Sequence, residues 1–537
     1  MLSYRKLAMR VLGHPLHTGR IDSPRPASQR AAAFILTAAM LTTLAAPAFA
    51  DIWHIENGDI TISAGESGNN VTQNNNTTYG DTNTIITNQN KDTASSHTVT
   101  IEAKDKDDKV EVTLKDVNID TSSRNKAAVS VTGEGDTNIK LDGDNALKSD
   151  IYRSGIYGSG SGSLTISGGE NDSLTAQGGS GANGISSSGS LTISGGTVTA
   201  NGDDGGRGIS SSGSVTISGG STVTANGGSG TISGGDGICS SGGVTISGGS
   251  TVTANGGNGG SLVGGDGIRS GGGLTVSDGT VTAKGGNGDS KDGYGGDGIR
   301  SGGVVTISGN TVNAAGGYGG KVGGYGICSF DRVAISGGTV EAAGGNGSTG
   351  GGSGIYSSVI DLSGSLELTA KAGSPNGKAL SQNGSELVLD TIKDKLGPGA
   401  KVTATDADGK VIDQVSTPRP VEPEESSSSS DGGSSAPSAP ASPLPGLTVT
   451  DKDGQRISYT STQSGNTLTV CVGRLTASFR ISLAALRQLR AEGIETIAFQ
   501  TVLCSTTLSV DELLAMGGEN AEAVLTHRFT DSSLTVG

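Results

Sequence analysis

The sequence predicts an all-β chain: a long parallel β-helix built from rungs of ~28 residues, followed by a small α+β domain. Three observations carry this. First, a Gly-Ile dipeptide recurs with its isoleucine at Ile156, Ile185, Ile209, Ile238, Ile268, Ile299, Ile327 and Ile355, at spacings of 29, 24, 29, 30, 31, 28 and 28. Second, each unit holds two further short runs that alternate apolar and polar. One is "LTI" or "VTI" (Leu164–Ile166, Leu191–Ile193, Val215–Ile217, Val244–Ile246, Leu274–Val276, Val305–Ile307). The other is "TVT" (Thr197–Thr199, Thr222–Thr224, Thr251–Thr253, Thr280–Thr282). Alternation is the signature of a strand with one buried face. Third, the 93 glycines are too dense for helix, where each costs ~1 kcal/mol against alanine.

Three short strands joined by glycine corners make one rung of a three-sided solenoid. No rung can bury its own apolar face, so each must stack on its neighbours. Glycine is expected at the corners because corners often need positive φ. Glycine-rich disorder does not keep β-branched residues in register. Aromatics are 3% of the chain and Trp53 is its single tryptophan. That poverty suits many thin layers better than one large core.

The elements follow in order. Residues 1–50 read as a secretory signal peptide. Six basic residues precede the apolar run "AAAFILTAAMLTTLAAP", and "AFA" stands before Asp51, a small-x-small cleavage pattern. The apolar run is shorter than a ~20-residue membrane span. Residues 51–415 form the β-helix. Its first part, 51–150, has longer and more polar rungs, with "NNVTQNNNTTYGDTNT" as a polar loop or Asn-rich insertion. The glycine-rich repeats occupy 151–360. Residues 361–415 finish the rod, with strands in "LELTAKAG" and "SELVLDTI" and an end cap in "KVTATDADGKVIDQV". Residues 416–446 hold seven prolines and five consecutive serines, an extended linker. In residues 447–537 a strand–helix–strand pattern occurs twice. Ser482 caps the first helix and Gly493 stops it, and Ser509 with Glu512 has capping-box spacing before the second.

Charge and cysteine content narrow the function classes. Removal of residues 1–50 leaves 31 basic and 51 acidic residues, a net charge of −20. Nucleic acid is a poor partner for such a chain, since its binding rests on Lys and Arg neutralising phosphates. An acidic, glycine-rich rod stays soluble and is compatible with divalent cations. Four cysteines are too few for a disulfide scaffold. Cys239 and Cys328 stand three rungs apart, roughly 14 Å, and are expected unpaired. Cys471 and Cys504 sit in apolar strands of the C-terminal domain and are a disulfide candidate, two buried thiols being the alternative. His54, His97 and His527 have no plausible nucleophile beside them in sequence.

The segment "KVEVTLKDVNIDTSSRNKAAVSVTGEGDTNIKLDGDNAL", running into "GIYGSGSGSLTISGG", resembles exported bacterial carbohydrate-binding-domain proteins with a parallel β-helix, over roughly residues 51–390. The resemblance implies a right-handed β-helix, with calcium and a plant-type or cell-wall polysaccharide as ligands. It transfers no individual ligand residue to this chain. The C-terminal domain resembles no family.

Several residues stand out as site candidates. Asp236, Asp266 and Asp297 each lie two residues before a marker isoleucine in successive rungs. Stacked carboxylates need compensation. Calcium would supply it, taking carboxylate and carbonyl oxygens. Arg269 and Arg300 would supply it by salt bridging, and the third alternative is that the acids simply face solvent. Tyr294, Tyr318 and Tyr325 fall in corner loops of neighbouring rungs and form a candidate sugar-stacking patch, with Arg269 and Arg300 as further ligand-binding candidates. A stacked Thr-x-Thr face is like the arrays of ice-binding solenoids, but fades at Asn313 and Glu341. The expected function is non-catalytic, calcium-assisted polysaccharide binding by a secreted, cell-surface-associated protein. A structural or adhesive surface rod is the alternative. A polysaccharide lyase, with the Asp266/Arg269 or Asp297/Arg300 pair as its machinery, is the second.

Overall fold

The structure, a computed structural model, describes residues 51–418 and, towards the C-terminus, 447–450, 456–457, 459–464, 466–472, 477–501, 505–516, 521–527 and 532–536. The expected signal peptide, most of the linker and Cys504 lie outside the described residues. The chain divides into two units, Met1–Pro423 and Glu424–Gly537.

The first unit is a parallel β-solenoid of about 13 turns. Its strands stack in three columns. In the first column the marker line is Ile60, Val99, Val129, Ile156, Ile185, Ile209, Ile238, Ile268, Ile299, Ile327, Ile355 and Leu380, each opposite the next. Every one of these side chains is fully buried, each contributing about 1.5–3 kcal/mol relative to exposure. The second column stacks Ile139, Ile166, Ile193, Ile217, Ile246, Val276 and Ile307. The third stacks the valine of each "TVT", from Val198 through Val223, Val252 and Val281 to Val312. Its threonines keep register too: the first line continues through Thr311 and Thr339, while Asn313 and Glu341 replace the second.

The glycines serve two different purposes. Positive φ is the reason at the corner between the second and third columns, where Gly195, Gly196, Gly219, Gly220, Gly248 and Gly249 have φ between 63° and 81°. The larger set needs glycine for closeness. Each repeat leaves the third column through a run such as Gly256–Gly259 and returns to the first through one such as Gly264–Gly267. These runs interleave. Gly257 N–H donates to Gly235 O of the preceding rung, Gly265 to Gly257 O, Gly286 to Gly265 O and Gly296 to Gly286 O, each at 2.8 Å. A Cβ on Gly257 would lie 2.1 Å from the Gly228 carbonyl oxygen, and one on Gly265 1.9 Å from that of Gly235. As at the crowded axis of collagen, only a residue without a side chain fits. The corner argument from sequence therefore holds for one corner and misses this glycine layer.

Both ends of the rod turn away from further pairing. The stretch expected as a polar loop, 69–84, is instead a hairpin of Gly68–Gln73 and Asn76–Asp81, joined to the first rung through antiparallel pairing with Ile60–Gly65. Its turn residues Asn74 and Asn75 have φ of 53° and 63°. Positive φ at both central positions is the type I′ geometry that asparagine tolerates. At the other end Lys401–Thr405 pairs in parallel with Leu366–Lys371 and antiparallel with Val411–Ser416, a hairpin cap that blunts the open edge. "SELVLDTI" is mostly not strand: Leu389–Lys395 forms a 3-10 helix that buries Leu389 and Ile392.

Among its described residues the second unit holds two four-stranded sheets and two helices, α1 (Leu483–Ala491) and α2 (Val510–Met516). Ser482 Oγ accepts the Ala485 N–H at 3.2 Å, and Ser509 Oγ accepts that of Glu512 at 3.4 Å. The duplicated pattern closes reciprocally. Ala477–Ser482 of the first copy pairs with Glu522–His527 of the second, and Thr496–Gln500 with Ser505–Ser509, both antiparallel. Phe479 and Phe499 fill its core. Among the described residues no helix is long and apolar enough to cross a membrane.

Candidate functional site

The outward side of the first column carries the chemistry. Two lines of side chains run along it. One is the position two before each marker isoleucine: Asn183, Arg207, Asp236, Asp266, Asp297 and Tyr325. The other is the residue just after it: Tyr157, Ser186, Ser210, Cys239, Arg269, Arg300, Cys328 and Tyr356, in register from rung to rung.

The three aspartates do not face solvent; they are 5%, 2% and 4% exposed. Each Oδ1 accepts a backbone N–H from the same position one rung on: Asp266 N–H to Asp236 at 2.9 Å, Asp297 N–H to Asp266 at 2.8 Å, Tyr325 N–H to Asp297 at 2.7 Å. Each Oδ2 meets an arginine. Arg207 Nε lies 3.2 Å from Asp236, Arg269 Nε 2.8 Å from Asp266 and 3.8 Å from Asp236, and Arg300 Nη1 3.3 Å from Asp297. These donors already engage the oxygens that a calcium ion would need. No group of three or more His, Cys, Asp or Glu among the described residues is placed to hold a metal ion. The ladder therefore does not fit a calcium site, and salt bridging is the compensation that the geometry provides.

Burial sets the proton affinity of this ladder. It pushes Asp297 up to about 7, the charge of Asp266 adding to the effect while the Tyr325 N–H and Arg300 oppose it. Asp266 is raised as well, first by burial and then by Asp236, with Arg269 acting against both. Cys239 and Cys328 are free and buried, as their spacing required. Burial raises the Cys239 thiol and takes Cys328 to about 12. Both are thiols rather than thiolate nucleophiles at neutral pH.

Two cavities open at this face. One, about 420 Å3, is lined by Cys239, Ser240, Ser241, Arg269, Ser270, Gly271, Arg300, Gly302 and Phe330. The other, about 500 Å3, lies beside it on the glycine runs that lead into the column, such as Gly234–Gly235 and Gly264–Gly265, with Asn183, Arg207, Asp236, Val263 and Arg269 also in its lining. Arg269 belongs to both. The Arg300 guanidinium lies 5.2 Å from the Phe330 ring centroid, and Phe330 is 56% exposed.

The predicted tyrosines separate. Tyr325 belongs to this face and stacks on Tyr356, ring centroids 4.9 Å apart at 18°. Tyr294 and Tyr318 sit on the glycine runs instead, 43% and 47% exposed, with Lys321 Nζ 5.6 Å from the Tyr294 ring. Arg207, Phe330 and Tyr356, the stacking partner of the predicted Tyr325, are the site residues that sequence reasoning missed. Arg207 was legible, since it occupies the same offset as the three aspartates. Phe330 was not, because "GICSF" breaks the "GIRSG" phrase at the residue that matters. Cys471, on the strand Thr467–Cys471, donates its Sγ–H to Gln500 Oε1 at 3.5 Å; its expected partner Cys504 lies outside the described residues.

Protein families, curated proteins and solved structures yield no match to the chain.

Proposed function

We propose that this is an exported, non-catalytic polysaccharide-binding β-helix protein whose ligand lies on the arginine face of the first column. The observation that carries the reading is the cavity where Arg269 and Arg300 meet the exposed ring of Phe330 and the exposed Ser241. Guanidinium forks and a serine hydroxyl suit the hydroxyl and carboxylate oxygens of sugars, and an exposed aromatic ring suits the apolar face of a pyranose. The same geometry speaks against a lyase. The carboxylates that would serve such chemistry are buried and held by backbone N–H groups and arginines. The resemblance of residues 51–390 to carbohydrate-binding β-helix proteins, read from the sequence, points the same way.

Retention of the full chain on insoluble cellulose, pectin and bacterial cell-wall glycan tests this. The expected result is selective retention that EDTA leaves unchanged and that Arg300→Ala with Phe330→Ala weakens about tenfold or more. Retention on none of them leaves the rod as a structural or adhesive scaffold. Retention abolished by EDTA restores calcium as a participant.

A further inference from the structure

We infer, resting on the glycan-binding reading above, that the ligand is a linear polysaccharide laid along the rod axis and read over several rungs, rather than a chain end, a branch point or a single sugar. The juxtaposition of the two cavities carries this. They adjoin at Arg269, whose side chain lines both. One cavity runs back to Asn183 and Arg207, in the rungs of Ile185 and Ile209. The other runs forward to Phe330, in the rung of Ile327. From first to last that is six rungs, about 24 Å at the spacing of paired strands.

The lining repeats along this line instead of converging on one point. Arg207, Arg269 and Arg300 each rest on an aspartate of the ladder, at 3.2, 2.8 and 3.3 Å. These pairs fix the long side chains while leaving them 39–42% exposed. A held but accessible side chain loses little freedom when it takes a ligand. Gly271 and Gly302 form part of the cavity lining and project no side chain into it. The Phe330 ring closes one end beside Arg300.

A linear polymer of identical sugars presents the same pattern of hydroxyls at every step. A solenoid presents the same backbone position at every rung. An extended pyranose chain advances by about one rung spacing per sugar, so about five or six sugars span the six rungs. A single sugar or a branch point would fill one cavity and leave the other without a role.

Affinities of the full chain for cello-oligosaccharides and oligogalacturonides, from dimer to octamer, test the inference. Binding should strengthen about tenfold or more from dimer to hexamer and then level off. Arg207→Ala at one end and Phe330→Ala at the other should each weaken the hexamer. Phe330 is exposed, so its truncation leaves the core untouched, and an unchanged melting temperature verifies this. Equal affinity for all lengths, or sensitivity to only one of the two substitutions, overturns the axial mode; continued retention on the polymer would then leave the glycan-binding reading standing. Failure to retain any polymer or oligomer overturns both.

Discussion

Gly265→Ala will lower the unfolding midpoint of the solenoid sharply, at a cost of about 3 kcal/mol or more, whereas Gly249→Asn will cost about 1 kcal/mol or less. Both residues sit in runs of glycine that look alike in sequence. Gly249 adopts φ of 72° with open space around the position of a Cβ, and asparagine tolerates that backbone. Gly265 has no such dihedral requirement. Its Cβ would lie 1.9 Å from one carbonyl oxygen and 2.4 Å from the attached carbon. Relief means moving the backbone of a neighbouring rung. That rung is tied on both sides by 2.8 Å hydrogen bonds, so the displacement spreads. Urea unfolding followed by circular dichroism measures both variants; equal losses would contradict the close-packed glycine layer.

The second large effect concerns pH. The Asp297 carboxyl is raised from an ordinary 3.8 to about 7, mainly by burial. In the unfolded chain it ionises near pH 4, while in the folded chain it keeps its proton until about pH 7. Its ionisation therefore opposes folding. The cost is absent below pH 4, grows as pH rises through this window and is complete above pH 7, on the order of 4 kcal/mol. The rod should be more stable at pH 5 than at pH 8. Asp297→Asn keeps an acceptor for the Tyr325 N–H and removes the charge. It should raise the midpoint at pH 8 and flatten the pH dependence between 5 and 8. A variant less stable than wild type at pH 8, with the slope unchanged, would mean that the ionised Asp297–Arg300 pair is a net stabiliser. Asp59 does not confound the window. With its carboxyl held at about 2 by Arg124 and Lys126 against the effect of burial, its contribution is present above pH 4 and lost only below it.

The columns were legible in the sequence because Ile, Val and Leu alternate with polar residues and recur once per rung. Each marker isoleucine reports its own burial. Glycine reports nothing of the kind. Without a side chain it has no face, so Gly265 and Gly249 cannot be told apart until neighbouring rungs are placed beside them. The hairpin at 68–81 was hidden for a related reason: its strands are polar, and the first buries Asn69 and Gln73 on either side of Val71. At the site, the aspartate ladder was visible as a repeat. That it is buried beneath the arginines was not, because a buried carboxylate and an exposed one look alike in sequence; the pairing of Asp236 with Arg207, 29 residues apart, depends on the stacking of rungs. Tyr294, Tyr318 and Tyr325 were grouped by their closeness in sequence, yet an offset of a few residues within a rung places Tyr325 on another face, where it stacks on Tyr356.

That separation permits a direct test of where the ligand sits. Hydroxyl-radical footprinting of the full chain, with and without the polysaccharide that retains it, reads aromatic side chains one by one. The arginine-face account predicts protection at Phe330, with Tyr294, Tyr318 and the exposed Tyr79 unchanged. Protection at Tyr294 and Tyr318 with Phe330 still reactive would contradict it and move the binding site to the glycine layer.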